Sequence, residues 1–358
     1  MLKFLRKDLL LVLMVAVVFL SLSYAIGYVS DHSPTTTELQ PAFLGGELAP
    51  KTQAVASRVW KDHSFEKSLV LDSAALADPR IVRVDDHGNI YVLDWADFKV
   101  KMFSPDGKLL KAFGDGKAPE GGSDGSAGSF INPTAFSVEP DGELWVCDPL
   151  QRKITHFNPG GAAQAVKPQG EAYRVAAVGD VLVTMSPPGG DSLFKVYNLS
   201  GEPLAAFGKI IEDQSGNGIA LDGNIIGDTE GRGFVYGGRY MGVMAGYGAD
   251  GAQRFVVQTV DAPPPPKVLD VAGKRKIKPN GTRAILSMSI VGDKLYILSG
   301  SSAGGAAESV MDVYDKRDGS YQFSLKLPMA CKEAVVRPGY VYTLGDGGVT
   351  VWRFGQKA

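Results

Sequence analysis

The feature that most constrains this chain is a repeat. Pro79-Arg80-Ile81-Val82-Arg83-Val84 aligns with Pro133-Thr134-Ala135-Phe136-Ser137-Val138, an offset of 54 positions. The same offset carries Gly88 to Gly142, Tyr91-Val92 to Trp145-Val146, Asp94 to Asp148 and Phe103 to Phe157 without a gap. Self-similarity at a fixed period of this length points to an array of supersecondary units. Within each copy, apolar and polar residues alternate, which suits half-buried antiparallel strands.

The first unit reads as strands Ile81–Val84, Ile90–Leu93, Val100–Phe103 and Leu109–Phe113. Asp86-His87-Gly88-Asn89 and Ser104-Pro105-Asp106-Gly107 supply the turns, with glycine available for positive φ. The rhythm continues through Arg174–Phe207, Ile225–Val257 and Ile285–Leu325. The last unit, from Ala334 to Phe354, holds only three strands. The strand-like stretch Phe65–Leu71 is unassigned, and pairing it beside Val349–Phe354 would complete that unit. Closure of this kind removes the free edges that a repeat array exposes. Six units over roughly 290 residues give about 48 each, the size of a propeller blade. The fold expected is all-β, a six-bladed β-propeller over residues 63–356, closed by an N-terminal strand.

Composition supports this. Gly, at 44 of 358 residues, is a turn supply. A net charge of −2 argues against a nucleic-acid binder, which needs a basic surface. Two Cys and four His leave no material for a disulfide scaffold or a Cys-rich metal site. Cys147 and Cys331 fall in different units and read as buried small apolar residues.

The N-terminus differs. Leu9 to Val29 is an uncharged apolar run, long enough to cross a bilayer as a helix. Lys3, Arg6 and Lys7 precede it, so the positive-inside rule leaves residues 1–8 in the cytoplasm and the remainder outside. A cleaved signal peptide ending near Ala25 is the alternative. Residues 30–62 read as a stalk, with Ser33-Pro34-Thr35-Thr36-Thr37 flexible and Lys51–Asp62 a short helix.

The first two units resemble the NHL-repeat family of β-propellers. The carrying residues are Pro79, Asp86 to Asp94, Val100, Phe103 to Gly107 and Phe113-Gly114, then Gly128 to Pro133 and Asp141 to Asp148. The resemblance covers residues 78–159 and fades to strand rhythm beyond. It implies a six-bladed ring and no single activity, because the family includes scaffolds, ligand binders and a few metal-dependent enzymes.

In a propeller, first-to-second and third-to-fourth turns share one face. Here they are short. The other face collects long connections: Asp115–Phe130, Gly160–Ala172, Ser186–Asp191, Lys209–Gly218, Asp261–Thr282 and Gly300–Glu308. Long loops on a rigid scaffold carry function. Gly121–Ser129 and Gly300–Ala307 read as filler. The binding residues expected on this face are Trp95, Asp97, Phe98, Gln151, Arg152, Arg239 and Tyr240, with Asp94 and Asp148 structural. Packing on the neighbouring blade competes with binding for Trp95 and Arg152. After Pro263–Pro266, the basic residues Lys274, Arg275, Lys276 and Lys278 suit anionic lipid, a polyanion or an acidic partner.

Enzyme readings fare worse. A calcium-dependent lactonase-type propeller needs oxygen ligands at the channel. The inner strands offer Arg83, Ser137, Arg174 and Ser287, with Glu333 and Asn132 the only candidates for oxygen ligands. No nucleophile elbow or phosphate-binding loop occurs. The expectation is therefore a membrane-anchored, extracytoplasmic, non-catalytic protein-binding or assembly module without a cofactor. Its partners are proteins at the membrane, and residues 9–29 contact the bilayer. A calcium-dependent hydrolase or a sugar- or peptide-sensing propeller is the alternative.

Overall fold

A computed structural model describes residues 36–46, 49–53, 58–71, 73–117, 126–186, 190, 192–228, 230, 233–278, 282–300 and 308–356. The apolar run at 9–29 lies outside these residues. Among those described, no helix is long and apolar enough to cross a membrane.

Six four-stranded antiparallel sheets form in chain order. Blade 1 comprises Pro79–Val84, Ile90–Asp94, Lys99–Phe103 and Leu109–Phe113. Blade 2 runs Ala135–Val138, Leu144–Asp148, Lys153–Phe157 and Ala163–Val166. Blades 3, 4 and 5 begin at Arg174–Val178, Gly223–Asp228 and Ile285–Val291. Blade 6 takes Glu333–Arg337, Tyr340–Gly345 and Gly348–Gln356 from the C-terminus and His63–Val70 from the N-terminus. Phe65 pairs with Phe354 and Val70 with Thr350, so the strand expected to close the ring does so. The first strands touch in a cycle from blade 1 through blade 6 and back to blade 1. This is a closed propeller around an axial channel.

Its core is divided among the blade interfaces. Each of six apolar clusters is shared by two adjacent blades, as when Leu93, Val100 and Phe113 meet Phe136, Val146 and Phe157. The cluster of Val82, Ile90 and Phe103 with Val335, Leu344 and Val351 joins blade 1 to blade 6. Sheets buried on both faces need apolar residues on both, which is why Ile90-Tyr91-Val92-Leu93 is buried throughout.

The repeat offset extends to the backbone. Gly88 (φ 81°) and Gly142 (φ 88°) occupy the same turn position, where a side chain would be strained. Phe98 (φ 53°) and Arg152 (φ 50°) are left-handed at matching positions after the second strand.

Residues 36–60 depart from a stalk with a helix. Thr36–Leu39 pairs antiparallel with Val268–Val271 in the crossing between blades 4 and 5. Phe43 bridges Ile211, Lys51 bridges Val257 on the outer strand of blade 4, and Trp60 bridges Ser324 on that of blade 5. Residues 51–53 and 58–60 are not helical. Open outer strands offer unpaired backbone groups, and this segment pairs with them. It is a belt on the rim, leading into the fourth strand of blade 6. The basic residues are likewise in a sheet: Lys274–Ile277 pairs with Val268–Val271.

Candidate functional site

Asp94 and Asp148 are fully buried. Asp94 accepts hydrogen bonds from the amides of Ala77 (2.9 Å), Asp78 (2.8 Å) and Ala96 (3.0 Å) and pairs with Lys101 at 2.7 Å. Burial pushes its carboxyl up, but Lys101 and the three amides more than offset this and hold it below the ordinary value. Asp148 accepts from Ile131, Asn132 and Gln151 amides. Each carboxylate ties its second strand to the entry of its own blade, the structural role expected.

Trp95 is half-buried, and its Nε1 donates to the Pro133 carbonyl of blade 2 at 3.0 Å. Phe98 packs edge-on against it, and the Arg80 guanidinium lies 5.1 Å over its ring. Trp95 and Phe98 are thus packed between blades. Asp97 pairs with Lys101 at 3.0 Å. Arg152 is the most open of the group, its side chain 73% exposed and 3.5 Å from Glu171. The Gln151 side-chain amide is buried without a hydrogen-bond partner among the described residues. Arg239 and half-buried Tyr240 stand in blade 4, Arg239 beside Asp222 at 3.4 Å. The face is shared by these residues, but they do not converge on one point. Residues 121–125 and 301–307, within the loops read as filler, lie outside the described residues.

Of the basic residues, Lys278 pairs with Glu38 at 2.8 Å and Arg275 with Asp270 at 3.3 Å. Lys274 and Lys276 are exposed and make no ion pair among the described residues.

What does converge is the channel. Two cavities share Arg83, Phe136, Val175 and Ile225 and are the halves of one axial space. The half toward the short turns, about 660 Å³, is lined by apolar first-strand residues with Asp85, Asp86, Glu139, Asp228, Glu230 and Arg337. Burial pushes the Glu139 carboxyl up to about 7, with Asp141 and Glu143 adding repulsion that the Ser137 hydroxyl only partly offsets. The half toward the long loops, about 360 Å³, is lined by Arg80, Arg83, Arg174, Arg239, Arg283 and Lys332. Glu333, a candidate oxygen ligand, is held by Arg83 at 2.5 Å and by the Val82 amide at 2.8 Å. Asn132 lies in the tie to Asp148.

Sequence reasoning found Arg83 and Arg174 on the inner strands and Arg239 on the long-loop face but did not assemble this cluster. The signal was a basic residue at or just before the first strand of four of the six blades, 1, 3, 5 and 6: Arg80, Arg174, Arg283 and Lys332. Cys147 and Cys331 are buried and form no disulfide, and burial pushes their thiols up to about 12 and about 11.

Ring, channel and strand order together define an all-β protein of propeller type. No family model matches the chain and no curated protein matches its sequence. The resemblance to NHL repeats therefore stands on the residues of blades 1 and 2. Among solved structures, a Bacteroides fragilis protein provisionally described as exported matches with a TM-score of 0.54 at 11% identity. The match covers 86% of this chain and 99% of that one. Kuenenia stuttgartiensis hydrazine synthase matches with a TM-score of 0.49 at 12% identity, over 80% of this chain and 97% of that one. Moraxella catarrhalis BamB matches at 0.45 and 11%, over 81% of this chain and 100% of that one. At such identities the likeness is one of fold.

Proposed function

We propose that the protein is a membrane-tethered, extracytoplasmic six-bladed propeller of the NHL type that acts as a non-catalytic protein-binding or assembly module. Residues 9–29 are the anchor, and the basic flank at Lys3, Arg6 and Lys7 sets the orientation. The observation that carries the reading is where the chain joins the ring. Thr36–Leu39 pairs with the crossing between blades 4 and 5, on the long-loop face. Only residues 30–35 separate that strand from the apolar run, a reach of roughly 20 Å at full extension. The long-loop face, with Trp95, Gln151, Arg152, Arg239 and Tyr240, is therefore the face turned toward the bilayer. A partner is met there, in the space between ring and membrane. The exposed cations Lys274 and Lys276 add attraction for anionic headgroups or an acidic partner.

Affinity purification from detergent-solubilised membranes, read by mass spectrometry, tests this. A stoichiometric partner that is lost on Arg152→Glu is the expected result. A chain recovered alone from every detergent overturns the reading.

A further inference from the structure

The long-loop half of the channel holds more positive charge than its own wall can balance. Arg80 pairs with Asp78 at 2.8 Å and Arg83 with Glu333 at 2.5 Å. Arg174 and Arg239 share one carboxylate, Asp222, at 3.2 and 3.4 Å. Arg283 is exposed at the rim and makes no ion pair among the described residues. The partner of Lys332 is Asp346, itself 91% exposed. Six cations thus meet four carboxylates, two of them at the wall of the cavity.

Geometry sharpens the imbalance. The Arg239 Nε is buried and, despite Asp222 nearby, makes no hydrogen bond among the described residues. Burial pushes the Arg174 guanidinium below its ordinary range. Asp222 opposes this, while Arg239 and Arg83 add repulsion. A guanidinium presents a planar fork that matches a carboxylate or a phosphate two-toothed. At about 360 Å³ the cavity is at the small end of ligand pockets.

We propose that this cup binds a small multivalent oxyanion, a molecule bearing two or more carboxylate or phosphate groups, between the arginines of blades 1, 3, 4 and 5. The inference deepens the binding-module reading and rests on it only for the role of this face. The anion supplies the missing counter-charge to Arg174 and Arg239 and draws Arg283 and Lys332 inward from the rim. The same field repels a divalent cation.

The test uses the full chain in an uncharged detergent at low salt. Citrate and inorganic pyrophosphate, titrated separately by calorimetry, are the probes, and they distinguish carboxylate from phosphate. Saturable binding of at least one probe at one site is expected, weakened roughly tenfold or more by Arg239→Gln with Arg283→Gln. Arg283→Gln alone removes no ion pair, so its melting temperature should match the parent while its affinity falls. Lys276→Gln on the basic hairpin should bind as the parent does. Absence of saturation by both probes at millimolar concentration overturns the inference. So does binding that survives the double substitution, or that falls equally in Lys276→Gln. A parent chain that retains its membrane partner yet binds neither probe sinks the oxyanion alone. A chain that binds a probe but never a partner sinks the assembly reading alone.

Discussion

Blades 1 and 2 are held at their strand ends from inside, whereas blades 4 and 5 are held from outside. In the first pair, Asp94 and Asp148 gather the amides of Ala77, Asp78, Ile131 and Asn132 in the interior. In the second pair, among the described residues, no such carboxylate follows the second strand. The belt takes over, with Gln53 bonding Gln258 and Gly319 carbonyls and Arg58 pairing with Asp312 at 2.8 Å and with Asp261. The lesson is that a repeat can lose its internal tie and keep its shape if another segment closes the blade from the rim.

The comparison breaks first at Asp94. Asp94→Ala takes a buried carboxylate from Lys101, which keeps Asp97 and the Ala75 carbonyl, and unpairs three partly exposed amides, so urea unfolding should show a loss of about 2–3 kcal/mol. A loss below about 1 kcal/mol would show that the repeat's aspartate is dispensable. Next is the belt. Arg58→Ala leaves Asp312, whose side chain is 2% exposed, without its cation, for about 2–4 kcal/mol. Hydrogen exchange should then rise along residues 51–53 and 58–62 and in blades 4 and 5 while blades 1 and 2 stay protected. Uniform exchange through the ring would contradict the division.

A third test compares matched positions in blades 1 and 2. Asp85 accepts from the His87 and Asn89 amides and the Asn89 side chain, whereas Glu139, 54 positions later, has only the Ser137 hydroxyl at 3.4 Å among the described residues. Because the folded Glu139 holds its proton to about 7, the native state binds more protons than the unfolded chain between about 4.5 and 7. Stability contributed there is present at low pH and lost as pH rises through that window. Glu139→Gln should gain about 1–2 kcal/mol at pH 8 and nothing at pH 4. An equal gain at both would assign the effect to packing. The smallest effect is in blade 3, where the buried Ser186 hydroxyl makes no hydrogen bond among the described residues. Ser186→Ala should change stability by less than about 0.5 kcal/mol.

Blade order and closure were legible because strand rhythm counts units. Three strands after Ala334 and one spare strand at Phe65 leave a single way to finish the ring. The belt was not legible. It attaches through isolated bridges at Phe43, Lys51 and Trp60, which have no period, and the Ser33-Pro34-Thr35-Thr36-Thr37 run at its start reads as a tether. Trp95 was found as a residue, with binding and packing on the next blade both left open. A Trp in a loop suits binding, and only the Pro133 carbonyl shows that it packs on the next blade. The channel cations were hidden because they are spread over five blades, Arg80 and Arg83 in one strand and the others singly. Their meeting depends on ring closure, which places residues far apart in sequence around one axis.

The closing strand also sets a timetable. Residue 63 leaves the ribosome well before its partner, residue 356, which is made 293 positions later. At ordinary synthesis speeds the wait is on the order of 15–60 s. Over that interval blade 6 does not exist, and the apolar flank of blade 1 that it covers, including Val82, Ile90 and Phe103, stays open. The ring is thus a slow, late-sealing structure of high contact order. Its nascent form is the species that needs shielding, and removing the last strand should trap the chain there.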